Sequence, residues 1–249
     1  MLNYLDEDKK IAYRFKNYYD PNHNKIKTVH SDGLKEIFEY DTKNKLIHYQ
    51  FIDRENPENS FFEEYIRDYK SNTVKTVKSD DRYIITHFNL VMQPITIADS
   101  LGNITLYTYD ELYRCIKIED KKHNVEIFEY DRLGNLIYHR KEPILYEEWW
   151  RYDSLNNLVE YKNSNDIVEF YTWKNGLKVK EYNSYTDITK FFMYNDDYKL
   201  ILSTDSNGKE DAYTYDKHGN LSKHEDEYYI KEYYYNSNDQ LVEYIRKVK

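Results

Sequence analysis

At 249 residues the chain can form one large domain or two small ones, and its 30 tyrosines supply much of the 40% hydrophobic content. A net charge of −9, from 45 acidic and 36 basic residues, disfavours nucleic acid and anionic membranes as partners, because both attract a positive surface. A single cysteine, Cys115, excludes an intrachain disulfide, and six glycines with four prolines are too few for a disordered or glycine-rich chain.

The opening, MLNYLDEDKK, lacks the basic and apolar regions of a signal peptide. No stretch approaches the roughly 18 apolar residues of a membrane span, so a cytoplasmic location is expected. Residues 1–18 read as an N-terminal cap. The aromatic of a Tyr-Asp pair then recurs as an anchor, first at Tyr19 and 21 residues later at Tyr40. An insertion at 53–62, DRENPENSFF, disturbs the phase, and Tyr69-Lys70 and Phe88-Asn89 follow as degenerate anchors. From Tyr109 the anchors Tyr130, Tyr152, Trp173, Tyr194, Tyr215 and Tyr235 recur at steps of 20 to 22 residues. Eleven units of about 21 residues thus fill positions 10–249 as one domain.

Each unit has period two. A second aromatic stands two residues before the anchor in eight units, as in Phe128/Tyr130 and Trp150/Tyr152, usually with a polar residue between. That alternation specifies a strand with two unlike faces, whose aromatics stack as cross-strand ladders. Six residues after the anchor comes Leu or a relative (Leu46, Cys115, Leu136, Leu158, Leu200, Leu221, Leu241), opening a second short strand. Asn175-Gly176 shortens one turn to a type I′ hairpin. The fold class is therefore all-β, an antiparallel meander of about twenty short strands curled into a partial shell, open barrel or solenoid. Twenty strands give a contour of roughly 100 Å, or a ring about 30 Å across. Such a ring leaves two sheet edges, and the charged tail RKVK serves as a guard on one of them.

The aspartate after each anchor is read as a turn cap, because asparagine or lysine replaces it in several units and neither is a general base. His218 and His224 read as parts of an exposed polar strand and turn, and Cys115 as a small buried hydrophobe. No phosphate loop, nucleophile elbow or Cys/His array is present in the sequence, so neither catalysis nor a metal or other cofactor is expected. Binding is expected where the repeat is disturbed. In EPILYEEWWRY these positions are Glu147, Glu148, Trp149 and Trp150, with Trp149 on the face opposite Trp150. Tyr234 is placed like Trp149, and the insertion adds Phe61, Phe62, Glu63 and Glu64.

The unit Tyr-Asp-x-x-Gly-Asn-Leu, seen in YDRLGNLIYHR and YDKHGNLSKHE, resembles the YD repeat of Rhs proteins. That family includes bacterial toxins, the shells of insecticidal toxin complexes and the animal teneurins. The resemblance implies a β-sheet that spirals into a shell enclosing a toxic C-terminal domain. The Asp-Pro-x-Gly plug of such shells does not occur here, and the last repeat runs to the final residue, so no effector domain is expected. The expected function is a non-enzymatic protein-binding module, an immunity, neutralising or accessory protein of a bacterial toxin system. Its acidic, aromatic face would contact a protein partner such as a basic toxin domain. A carbohydrate-binding surface protein and an orphan fragment of a larger Rhs array are the alternatives.

Overall fold

The computed structural model describes residues 11–249, with side chains from Tyr13 onward, so most of the cap expected at 1–18 lies outside the described residues. Its part from Ile11 onward is a strand. Twenty-two strands, from β1 (Ile11–Tyr19) to β22 (Leu241–Val248), follow one another as an antiparallel meander. The only helix among the described residues is a 3-10 turn, Pro57–Asn59.

The sheet closes on itself. β22 pairs with β21 (Tyr229–Tyr235) on one side and with β1 on the other, with Phe15 opposite Tyr244. The expectation of free edges is therefore corrected. Arg246 and Lys247 of the RKVK tail sit inside the β1–β22 ladder, opposite Tyr13 and Ile11, where they guard nothing. Twenty-two strands about 4.8 Å apart, tilted as barrels require, give a cylinder roughly 35–45 Å across.

Among the described residues nothing fills that cylinder. Its accessible surface is 16991 Å², against about 12,000 Å² for a compact globule of the same mass. Substantial contacts run only between strands that are neighbours in the sheet. Among the described residues no side chain is fully buried, and Ile245 is the one hydrophobic residue in the buried class.

Stability must then come from bonds repeated along the ring. In eight anchors the ring reaches back to a carbonyl of its neighbouring strand, 14 to 16 residues earlier in the chain. Tyr130 Oη donates to Cys115 O at 2.8 Å, Tyr152 to Leu136 O at 3.2 Å and Tyr215 to Leu200 O at 2.8 Å. Tyr40, Tyr109, Tyr194 and Tyr235 do the same. Trp173 keeps the bond through Nε1, 2.7 Å from Leu158 O. Most of the accepting carbonyls belong to the Leu position of the preceding unit. Tyr19 has no preceding unit, and its hydroxyl bonds Leu241 O at 3.1 Å, which ties the first unit to the last.

The insertion is corrected in two respects. The irregular connection is 53–60, folded around Asp53, whose Oδ1 accepts the N–H groups of Glu55 and Asn56 at 3.0 and 2.9 Å. Phe61 and Phe62 already belong to β5 (Phe61–Asp68). The anchor after the insertion is Arg67-Asp68 rather than Tyr69-Lys70. Arg67 Nη1 donates to Leu46 O at 2.7 Å, and Asp68 caps the turn, while Tyr69 is exposed at its tip. The step from Arg67 to Phe88 is then 21 residues, the regular spacing.

The aspartates cap their turns as the sequence predicts. Asp131 Oδ1 accepts the N–H groups of Leu133 and Asn135, both at 2.9 Å, and Oδ2 accepts Asn135 Nδ2 at 2.8 Å. These bonds, the Asn135 side chain foremost, hold its carboxyl below the usual range. The residue three after the cap takes a left-handed conformation, supplied by Gly134 at φ 92° here. The opposite end of the barrel uses the same device at Asp99, Asp120, Asn163 and Asp205. Asn175 and Gly176 form the two-residue hairpin, both with positive φ.

Tyr130→Phe removes one repeat-to-repeat bond and lowers stability by about 1 kcal/mol in urea unfolding, with an unchanged denaturant slope. Phe88→Tyr, supplying a donor at the one anchor ring that has none, raises the unfolding midpoint.

Candidate functional site

Curvature gives the sheet two unlike faces. On a closed cylinder the concave side chains converge and the convex ones splay, so the crowded face is the lumen. Phe128 and Tyr213 stack on His139 and His224 with ring centroids 4.6 and 4.7 Å apart. On the other face Tyr138–Trp149 and Phe170–Tyr182 are spaced at 5.9 and 6.5 Å. The aromatics two before each anchor therefore line the lumen, and the residues alternating with them face outward.

The lumen is also charged, toward the end away from the Tyr-Asp turns. His139 is buried between two carboxylates, with Nδ1 2.8 Å from Glu148 Oε2 and Nε2 2.9 Å from Glu126 Oε2. Tyr161 and Tyr146 donate to Glu148 Oε1 at 2.7 and 3.2 Å. Partial burial pushes the Glu148 carboxyl up, but the bonds from Tyr161, His139 and Tyr146 outweigh it and hold it below the usual range. Burial and the bonds to Tyr146 and Glu148 push the Tyr161 phenol up in turn.

A second group lies on β19 (Glu210–Tyr215) and β20 (Leu221–Glu225) and in the turn after β20. Here Asp211, His224 and Asp226 bring ligand atoms within 4.8 Å of one another. Lys231 Nζ occupies the group as its cation, 2.7 Å from Asp226 Oδ2 and 3.4 Å from His224 Nδ1. Burial raises the Asp226 carboxyl, but Lys231 and the N–H groups of Tyr228 and Tyr229 bring it down from 3.8 to about 2. His224 is thus a part-buried lumen residue, correcting its assignment to an exposed strand and turn, whereas His218 lies exposed in its turn.

The nine binding residues expected from the sequence do not form one patch. Glu147, Trp149, Phe62, Glu64 and Tyr234 face outward. Glu147 accepts the Tyr138 hydroxyl at 2.5 Å, and Tyr234 donates to Glu232 at 2.8 Å. Glu148, Trp150, Phe61 and Glu63 face the lumen. There Trp150 packs on Tyr161 at 5.6 Å, Phe61 on Phe51 at 5.4 Å, and Glu63 accepts the Tyr65 hydroxyl at 2.7 Å. β5 and β13 (Tyr146–Tyr152) are separated by seven strands, so the two disturbed stretches line different sides of the barrel. Cys115 is half-buried, and burial pushes its thiol up, away from nucleophilic use.

Two features escaped sequence reasoning. One is the set of residues facing the pre-anchor aromatics. They stand three after the Leu position, as His139, Tyr161, His224 and Tyr244, a phase visible in the repeat. The other is a charge difference between the two ends. At the end away from the Tyr-Asp turns, the connections and the strand residue on each side hold sixteen acidic and seven basic residues. The same count at the Tyr-Asp end gives eleven and nine.

No family model and no curated protein matches the chain. Among solved structures, TcdB2-TccC3 without its hypervariable C-terminal region aligns with 94% of this chain at 14% identity and a TM-score of 0.47. The Tc holotoxin pore of Photorhabdus luminescens aligns with 94% at 14% identity and a TM-score of 0.46. The chain spans 15% of either toxin chain. A porin-like protein from Bacteroides uniformis aligns over 95% of both chains at 11% identity and a TM-score of 0.31. Identities and scores this low assign no function to the chain.

The folded Asp226 carboxyl lies below its unfolded value, so it stabilises the barrel above pH 3.8 and the contribution is lost as pH falls toward about 2. Urea unfolding from pH 5 down to about 2 will show this loss. In Lys231→Met the folded carboxyl loses a main partner and returns toward 3.8, so this part of the acid-induced loss shrinks.

Proposed function

We propose that the protein is a non-enzymatic binding module whose acidic mouth and aromatic lumen receive a basic segment of a partner protein. The observation that carries this reading is the barrel itself: an aromatic concave wall, unfilled by any of the described residues, faces the acidic end. Electrostatic attraction at the mouth concentrates a cationic chain, and the rings within offer cation–π and stacking contacts to arginine and lysine. The titratable clusters favour binding over catalysis. Glu148 is held by His139 and two tyrosines, Asp226 by Lys231, and the Cys115 thiol is not activated.

The Tyr-Asp repeat, read with its resemblance to Rhs shells, supports a cytoplasmic immunity, neutralising or accessory role in a bacterial toxin system. A lipid-facing barrel fits less well. Outward residues include charged pairs such as Arg151–Glu160, with Nη2 to Oε2 at 2.6 Å.

An arginine-rich peptide titrated into the protein will bind at low salt and lose about tenfold or more in affinity at high salt. Glu55→Lys/Glu58→Lys/Glu227→Lys, three exposed changes at the acidic end, will abolish binding. No binding at low salt, or binding that the triple variant keeps, would refute the reading. Oligosaccharide binding that survives high salt would replace it with the carbohydrate alternative.

A further inference from the structure

The Tyr-Asp end carries a feature that neither the repeat nor the proposed mouth uses. Five successive turns there expose large apolar side chains: Tyr69, Leu90-Val91-Met92, Leu112-Tyr113, Leu133 and Leu155. Leu90 is 96% exposed and Leu155 79%. The turn at 89–93, NLVMQ, contains no charged residue at all. Turn chemistry does not require these residues. The caps are Asn89, Asp110, Asp131 and Asp153, and their bonds run to backbone N–H groups. Met92 and Tyr113 even hold left-handed conformations, at φ 63° and 60°, where other units place glycine or asparagine at lower cost. Beyond these turns the same rim is mostly polar, as at 20–24 and 236–240, with exposed Tyr198 standing alone between them.

We propose that this apolar crescent is the contact between two copies of the chain, joined Tyr-Asp end to Tyr-Asp end. Charge selects this pairing. The Tyr-Asp ends are close to neutral, so they approach with little repulsion, whereas two acidic ends repel each other. A head-to-tail contact would press leucines onto carboxylates and strip their water. Size is adequate as well. Five turns two strands apart make a crescent about 40 Å long. Seven or eight side chains exposing roughly 100 Å² each supply about 700–800 Å² per partner, near the usual area of a stable interface. A two-fold axis places crescent on crescent and closes the assembly at two. The two acidic mouths then face outward at opposite ends, leaving both free for the partner proposed above.

The test is sedimentation of the full chain over a concentration series at low and high salt. The expected result is a monomer–dimer equilibrium that persists or tightens at high salt, and that Leu90→Asp/Met92→Asp weakens at least ~tenfold. Leu133→Glu/Leu155→Glu repeats the test at other turns of the crescent. Circular dichroism establishes that each variant folds, since no backbone bond is removed. Glu55→Lys/Glu58→Lys/Glu227→Lys leaves the dimer intact, so loss of peptide binding and loss of dimer are separately readable. A wild-type chain that stays monomeric at about 100 μM, or a dimer indifferent to all four apolar changes, would overturn the proposal. So would Leu90-dependent flotation of a monomeric chain with phosphatidylcholine vesicles, which would give the crescent to lipid.

Discussion

The rest of this barrel depends on the hydrogen bond that eight of its anchor rings send back to a carbonyl about fifteen residues upstream. A closed sheet without a packed interior cannot draw on the burial that stabilises ordinary domains. What remains is the ladder between neighbouring strands, and the anchor bond is its cross-brace, joining each unit to the one before. The donor matters more than the ring's identity. Trp173 substitutes an indole N–H for a hydroxyl, and Arg67 substitutes a guanidinium where the aromatic is lost. At Phe88 the brace is absent, and the Asn72 amide bonds Asn89 O at 3.0 Å in the same neighbourhood.

A second set of links runs along the turns. The residue four after the cap reaches into the next turn of the rim. Gln93 donates to Tyr113 O at 2.7 Å, Arg114 to Asp131 O at 3.0 Å and Lys199 to Gly219 O at 2.9 Å. Gln240 donates across the seam to His23 O at 3.1 Å. Contacts of this kind are local, so the units resemble a linear array whose stability is a sum over neighbours. Closure changes that arithmetic. Tyr19 and Asn17 on Leu241 O, and Arg14 on Glu243 at 3.3 Å, make the first unit depend on the last. Opening the seam frees two strand edges at once, so the ring is more cooperative than a solenoid of the same repeats.

The strands, their alternation and the capping role of the aspartates were legible in the sequence because each repeats with a fixed phase, which eleven copies make unmistakable. Closure was not legible. It depends on strand tilt and on the pairing of β1 with β22, neither of which a period of 21 encodes. The anchor at Arg67 was missed because an aromatic search favours Tyr69, whereas the geometry needs only a donor of suitable reach. The candidate site fared less well for a related reason. Trp149 and Trp150 are adjacent in sequence but lie on opposite faces, and seven strands separate Phe61 from both. Unusual residues gathered along a chain are therefore scattered around a cylinder, while Glu126 and His139, unremarked in sequence, converge on Glu148 through register alone.

A strict repeat makes its own deviations informative. Each unit faces the same steric and hydrogen-bonding demands, so a residue that meets them poorly is present for some other reason. At the left-handed position of the turns, glycine, asparagine and aspartate satisfy the backbone, as at Gly134, Asn156 and Asp239, yet Met92, Tyr113 and Tyr198 occupy it on one rim and Leu145 on the other. Inside the lumen, tyrosine serves opposite the pre-anchor aromatic at Tyr161 and Tyr244, yet histidine stands there at 139 and 224, each facing a carboxylate. The first class of departure lies on the rims, most densely at the Tyr-Asp end, and is apolar; the second lies in the wall and is ionisable. Local fold chemistry explains neither class, and together they set an apolar crescent on one rim and ionisable clusters in the wall toward the other.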